Sequence, residues 1–400
     1  MGAGLAGAAT VAALRAEGFR GRVTVLGAEG VPPYDRPPLS KELLSRPAPV
    51  WLADDAGLTL DADDVRLAEP ATALDLTGGR VRVTTATGTV DADAAVLATG
   101  ARAVLPPALG AAQVLHTTAD ADALRARLHP GARLVVVGAG WIGAEVAGVA
   151  AAEGVDVTVL EAASAPLTTA LGPGVGSLTR PWYEAAGVRL VTGATVVAAG
   201  PDHVRLADGT EVPADVVLAA VGARPSSAWL AGALPLAADG SVPVDPVYRV
   251  PGHPGVVAVG DLATRCSPRH GRVPGGHWDG ALRGPAVAVR ALLGRDVESP
   301  AHDVAPYVFS TQLGHDLGLL GLPGAGDDVV LRGEPGPTGA EPFAVAWFRP
   351  GTDVLTALLA VDRHRDVSAA RRLFAGPALP RLDRAVVADP AAPLKAALRG

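Results

Sequence analysis

Leu134-Val135-Val136-Val137-Gly138-Ala139-Gly140-Trp141-Ile142-Gly143-Ala144-Glu145 is the stretch on which the fold of this chain turns. A β-branched and leucine run, the spacing Gly-x-Gly-x-x-Gly and an alanine-rich continuation predict strand, tight turn and helix in succession. The helix is expected over Ala144 to Glu153 and the next strand over Val155 to Leu160, which completes a β-turn-α-β unit. Gly138, Gly140 and Gly143 permit the turn and the close approach of a pyrophosphate to the helix N-terminus. Glu161 follows Gly143 by 18 residues at a strand end. There it would accept hydrogen bonds from adenosine ribose hydroxyls and repel a 2′-phosphate, favouring NADH over NADPH. Chance matches to the glycine spacing arise in a chain with 49 glycines, so the weight lies in the strand, helix and acid around it.

Working outward, a second cassette of the same kind stands at the start of the chain: Gly2-Ala3-Gly4-Leu5-Ala6-Gly7, an alanine-rich helix over Ala8 to Glu17, and a strand over Arg22 to Leu26. Only Met1 precedes Gly2, so the strand that should enter this loop is missing. That strand is central in a doubly wound sheet, and its loss would expose two edges, so the expectation is that the true start lies upstream. Further strands are expected over Val81–Thr85, Val90–Ala98, Val216–Val221 and Gly255–Val259, and beyond about residue 302 the alternation gives way to a mixed α+β unit. Two loop-helix-strand cassettes in one chain imply two nucleotides held facing each other.

Composition limits the alternatives. A chain of 400 residues with 49% apolar and 19% charged residues is globular and has more than one core. A net charge of -7 argues against nucleic-acid binding. No apolar run reaches the ~20 residues of a membrane helix, and no secretory signal is visible, so a cytoplasmic protein with no membrane association is expected. The single cysteine, Cys266, excludes a redox disulfide and a cysteine-based metal centre, and is expected to be a buried thiol. No metal is expected.

Pro33-Tyr34-Asp35-Arg36-Pro37-Pro38-Leu39-Ser40-Lys41 is the most distinctive segment, and it holds one of only two lysines, the other being Lys395. Together with GAGLAG (2–7), LATGAR (97–102), VVVGAGWIGAEVA (135–147), VTVLEA (157–162), AAVGARP (219–225), AVGDLA (258–263) and HWDGA (277–281), it carries a resemblance. Over essentially its whole length the chain resembles the FAD- and NADH-dependent reductases that feed ferredoxins and rubredoxins, the putidaredoxin reductase and dioxygenase ferredoxin reductase type. These fall in the pyridine nucleotide-disulfide oxidoreductase superfamily, here without redox cysteines.

The resemblance implies an α/β fold of two Rossmann-like three-layer domains plus a C-terminal α+β reductase domain. It divides the chain into an FAD-binding domain (1–112 and 240–302), an NADH-binding domain (113–239) and a C-terminal domain (303–400). It implies that Gly2, Gly4, Ala6 and Gly7 cradle the FAD pyrophosphate with Arg36 nearby. Ala71, Thr99, Gly100 and Arg102 belong to further FAD contacts, Gly260 and Asp261 to the ribitol chain, and Trp278 to the isoalloxazine. Ile142 and Gly222 join Gly138, Gly140, Gly143 and Glu161 on the NADH side. Lys41 would approach the flavin and pair with Glu145 beside the nicotinamide–flavin stack, as an electrostatic tuner or as an ordinary salt bridge. The implied partner is a ferredoxin-type iron–sulfur protein, with the enzyme a monomer or homodimer.

Three departures from that pattern bear on function. Gly27-Ala28-Glu29 displaces the adenosine-binding acid by one residue, leaving Glu29 as its substitute. Gly275-Gly276 stand where a glutamate is usual, and Phe309-Ser310-Thr311-Gln312 replaces a tryptophan-serine-aspartate-glutamine tail motif. These keep open an NADH oxidase or quinone-type reductase without a protein partner, and a redox-quiet flavoprotein that signals by conformation. His277 is expected to be a packing or hydrogen-bonding residue rather than a proton relay. Arg265, Arg269, Arg272, Arg283 and Arg290 cluster in sequence, as a basic docking patch for an acidic partner would require.

Overall fold

Parallel strands Arg189–Thr192, Asp156–Glu161, Arg133–Val137 and Val216–Ala219 lie side by side in that order, with Val136 opposite Val159 on one side and Leu218 on the other. The computed structural model describes residues 1–297 and 302–399. Leu134 to Val137 are buried, as a parallel strand covered on both faces must be. The sheet grows in both directions from Arg133–Val137, so a crevice opens at the C-terminal end of that strand. The Gly138–Gly143 loop sits there and passes directly into the helix Trp141–Ala152, which therefore starts three residues earlier than Ala144.

The first cassette repeats this plan. Helix Leu5–Ala16 packs against helix Trp278–Leu292, and strand Thr24–Leu26 runs parallel to Asp64–Arg66. In the place of the expected entering strand, the Met1 nitrogen donates to Val96 O (2.8 Å), Met1 O accepts from Ala98 N (2.7 Å), and Gly2 N donates to Leu26 O (2.7 Å). Those two residues connect Thr24–Leu26 with Ala95–Leu97, which in turn pairs in parallel with His253–Ala258. The run Val90–Ala98 is not one strand. Thr89–Ala92 closes an antiparallel sheet with Val81–Thr85, and Ala95–Leu97 belongs to the parallel layer, because the chain bends at Asp93.

The C-terminal part is an antiparallel sheet in the order Tyr307–Gln312, His315–Gly321, Leu355–Val361, Phe343–Phe348, Asp328–Arg332. Every residue of Phe343–Phe348 is buried. Helix His364–Leu373 covers one face through Ala370 and Phe374.

Two packing contacts position the site. Leu43, 1% exposed, sits in the same core as Leu134, Val136, Val146 and Ala147, and so anchors the proline-rich segment on helix Trp141–Ala152. On the same helix a Cβ at Gly148 would come within 2.8 Å of the Leu313 backbone nitrogen, so the C-terminal sheet approaches as closely as a bare backbone allows. Gly148→Ala is therefore expected to overpack this seam and lower stability by about 1–3 kcal/mol. A urea midpoint equal to that of the parent protein would contradict the close approach.

Candidate active site

The two glycine loops are unequal in sequence context and alike in geometry. Gly2 and Gly138 have φ of 103° and 106°, and a Cβ on either would strike a backbone carbonyl, that of Ala98 or Ala220. Each donates its N–H to the end of the next strand, Gly2 to Leu26 O at 2.7 Å and Gly138 to Leu160 O at 2.8 Å. Gly4 and Gly140 are the helix N-caps at φ -82° and -80°, with nothing within 4 Å of where a Cβ would stand. Open space over a helix N-terminus is what a pyrophosphate needs, so both cradles fit a dinucleotide.

Their acids differ. Glu161 accepts from the amide of Ala139 within the loop and from Ala163, both at 2.7 Å, which fixes its carboxylate at the mouth of the second cradle. Glu29 accepts instead from the Tyr34 hydroxyl (2.6 Å) and from Arg36, whose guanidinium also donates to His116 O. Burial pushes the Tyr34 phenol up, so it remains a donor. Arg36 thus stands near the first cradle already tied to an acid.

The centre of the site lies between the cassettes. Pro37 and Pro38 begin the short helix Pro38–Lys41, which sets Ser40 and Lys41 against helix Trp141–Ala152. Glu145, one turn into that helix and 5% exposed, accepts from Lys41 Nζ and from the Ser40 hydroxyl (2.5 Å). A third donor, the Ser310 hydroxyl (2.5 Å), comes from the C-terminal sheet. Lys41 Nζ also lies 5.3 Å from the centre of the Phe309 ring, within cation–π range.

Phe309 joins this centre to Trp278. The Trp278 ring meets Phe309 edge-on at 6.1 Å, and its indole N–H donates to Asp35 Oδ1 at 2.6 Å. Burial raises the Asp35 carboxyl, and the Trp278 hydrogen bond opposes the rise. Tyr307 stacks on Phe309 at 6.1 Å, and the exposed Arg371 lies 4.3 Å over Tyr307. Asp261 accepts from the Gly276 amide (3.0 Å), and a Cβ at Gly275 would strike the Asp261 backbone, so the two glycines let the chain fold over the acid. Between them and Trp278, both ring nitrogens of His277 are buried without a partner among the described residues. Burial depresses its pKa, so the ring is neutral. A buried donor and acceptor left open cost about 1–3 kcal/mol each, so the site is built for a polar group, as a flavin's pyrimidine ring would supply.

The other residues singled out in the sequence fall as follows. Thr99 Oγ1 donates to Ser226 O (2.9 Å), Gly100 turns at φ 66°, and Arg102 pairs across a two-stranded ribbon with Arg224. Gly222, at φ 108°, and the 44% exposed Ile142 flank the second cradle. Gly260, at φ 66°, touches Ala6. Gly7 and Gly143 pack on the carbonyls of Gly2 and Gly138. Ala71 packs on the core around Leu26 and Leu97, away from the Glu145 centre.

One expectation is corrected. Cys266 is exposed, because it alternates outward on strand Ala263–Ser267. The arginines that cluster in sequence are each paired with an acid: Arg265 and Arg269 with Asp303, Arg272 with Asp239, Arg283 with Asp279 and Arg290 with Glu17. Sequence reasoning also missed Asp35, Ser40, Ser310 and Gln312. The departure at Thr311 lies on the outer face of its strand, bonded to Asp316, while Ser310 and Gln312 face inward.

A family model for the pyridine nucleotide-disulphide oxidoreductases matches residues 1–284, and one described as reductase C-terminal matches residues 307–398. The anthranilate 1,2-dioxygenase system ferredoxin–NAD(+) reductase component of Burkholderia cepacia is 36% identical, aligned over 99% of this chain and 97% of its own. Among solved structures, Fdr9 is 39% identical with a TM-score of 0.87, covering 98% of each chain. The covalent putidaredoxin reductase–putidaredoxin complex is 27% identical with a TM-score of 0.86, covering 98% of this chain and 96% of that one. With two glycine cradles of like geometry, a half-buried lysine paired with a buried glutamate, and matches that run its whole length, the chain belongs to the pyridine nucleotide-disulphide oxidoreductase family.

Proposed function

We propose that this chain is a cytoplasmic NADH-dependent flavoprotein reductase, which passes electrons from NADH through FAD to a ferredoxin-type iron–sulfur protein. The observation that carries the reading is the Lys41–Glu145 pair, because each partner follows a different nucleotide cradle in sequence and the fold brings the two together. Relatives named ferredoxin–NAD(+) reductases, and a reductase solved in covalent complex with putidaredoxin, support the same acceptor class. The assignment of residues 1–112 and 240–302 to FAD, 113–239 to NADH and 303–400 to a C-terminal domain is part of this proposal.

FAD accepts a hydride and gives up electrons one at a time, so it supplies the chemistry and the protein supplies distance and electrostatics. Gly2, Gly4 and Gly7 hold its pyrophosphate, Asp261 its ribitol, and His277 and Trp278 its ring system. Gly138, Gly140, Gly143 and Glu161 hold NADH. Lys41 brings a positive charge to the place where the flavin gains negative charge, an interaction worth most where water is excluded. With one exposed cysteine, no dithiol is available to take the electrons within the chain.

Under anaerobic conditions NADH is expected to bleach the flavin absorbance within seconds. A flavin that stays oxidised would favour the redox-quiet reading. Lys41→Ala should slow that reduction about tenfold or more and leave NADH affinity nearly unchanged, and an equal rate would remove Lys41 from the mechanism. Glu161→Ala frees the Ala139 and Ala163 amides and should raise the KM for NADH about tenfold while improving NADPH. An unaltered NADH to NADPH ratio would refute the role of Glu161.

A further inference from the structure

We propose that Ser310 and Gln312 of the C-terminal sheet are positioning residues for flavin reduction, acting through Glu145 on Lys41. The inference rests on the reading that the Lys41–Glu145 pair stands beside the flavin. Glu145 Oε1 receives both Lys41 Nζ and the Ser310 hydroxyl, and Oε2 receives the Ser40 hydroxyl. A serine hydroxyl has a single proton to donate. Gln312 Nε2 donates to Ser310 Oγ at 3.0 Å, which fills its acceptor side and commits that proton to Glu145.

Ser310 and Gln312 are 3% and 2% exposed, so no water substitutes for either. Strand alternation puts both on the face toward Glu145 and Thr311 on the other. Lysine has a long, freely rotating stem, and its own ion pair fixes a distance rather than a direction. The direction comes from the carboxylate, which is held at three points by the proline-rich segment and the C-terminal strand. Phe309, next in the chain to Ser310, lies under the same ammonium. The C-terminal sheet therefore sets where the positive charge sits.

The test uses the FAD-loaded full chain and anaerobic single-turnover reduction by NADH, with flavin midpoint potential, visible spectrum and thermal midpoint measured alongside. Ser310→Ala is expected to lower the limiting reduction rate about tenfold, as loss of one hydrogen bond to a buried charge implies. NADH Kd should change less than about twofold. The flavin bands and the midpoint potential should shift, because the nearby charge has moved. Ser310→Thr keeps the hydroxyl and should restore all three readouts. Gln312→Met should give a smaller slowing of the same kind, and it carries the test on the same criteria if Ser310→Ala does not hold flavin.

A parental rate and potential in the variants overturns the inference, as does equal slowing by Ser310→Ala and Ser310→Thr, which would mark a packing role. If Lys41→Ala is slow while Ser310→Ala is normal, this inference alone falls. If Lys41→Ala is normal, the reading of the pair falls and this inference with it.

Discussion

A buried carboxylate without donors is among the most costly groups a protein can contain, and Glu145 is such a group unless three parts of the chain converge on it. Helix Trp141–Ala152 carries it, the proline-rich segment brings Ser40 and Lys41, and the edge strand Tyr307–Gln312 brings Ser310. Displacing the proline-rich segment would leave the charge unpaired, and displacing the edge strand would remove one of its hydrogen-bond donors. The contacts that hold these segments in place, Leu43 in the core of the second cassette and Leu313 against Gly148, read as consequences of the same requirement.

Around that point the molecule is a pair of like cradles with unlike histories in sequence. The second has its strand, its helix and an acid bonded into the loop. The first reaches the same backbone geometry with its nearby acid bonded to Tyr34 and Arg36. Backbone conformation at a phosphate cradle is set by glycine φ values and helix geometry, which are local, so the loop tolerates a change in its surroundings.

Much of this was legible from residues alone. The β-turn-α-β reading of residues 134–160 holds because strand, turn and helix signals there are short-range and agree with one another. Lys41 and Glu145 were paired by resemblance, and the fold brings them together across 104 positions. Asp35, Ser40, Ser310 and Gln312 were not legible as site residues. Their roles are contacts between segments remote in sequence, and a serine on an edge strand has the same local signature whether it faces a carboxylate or solvent. The arginines after Asp261 were undecidable for the same reason, since five positive charges in sequence gave no sign of the separate acids that pair with them. Cys266 misled by composition, because free cysteine is usually buried and only the strand's alternation turns it outward.

The seam at Gly148 has a further consequence for how such chains can be recombined. A C-terminal sheet transplanted onto another reductase would meet a helix whose residue at that point decides how near it comes. With alanine there the strand would be pushed outward, and Ser310 on its inward face would lie farther from Glu145. The modular look of the C-terminal sheet is therefore deceptive: residues 148, 310 and 313 form one inheritance unit, and a chimera that divides them would assemble two sound halves into an enzyme whose lysine is loose.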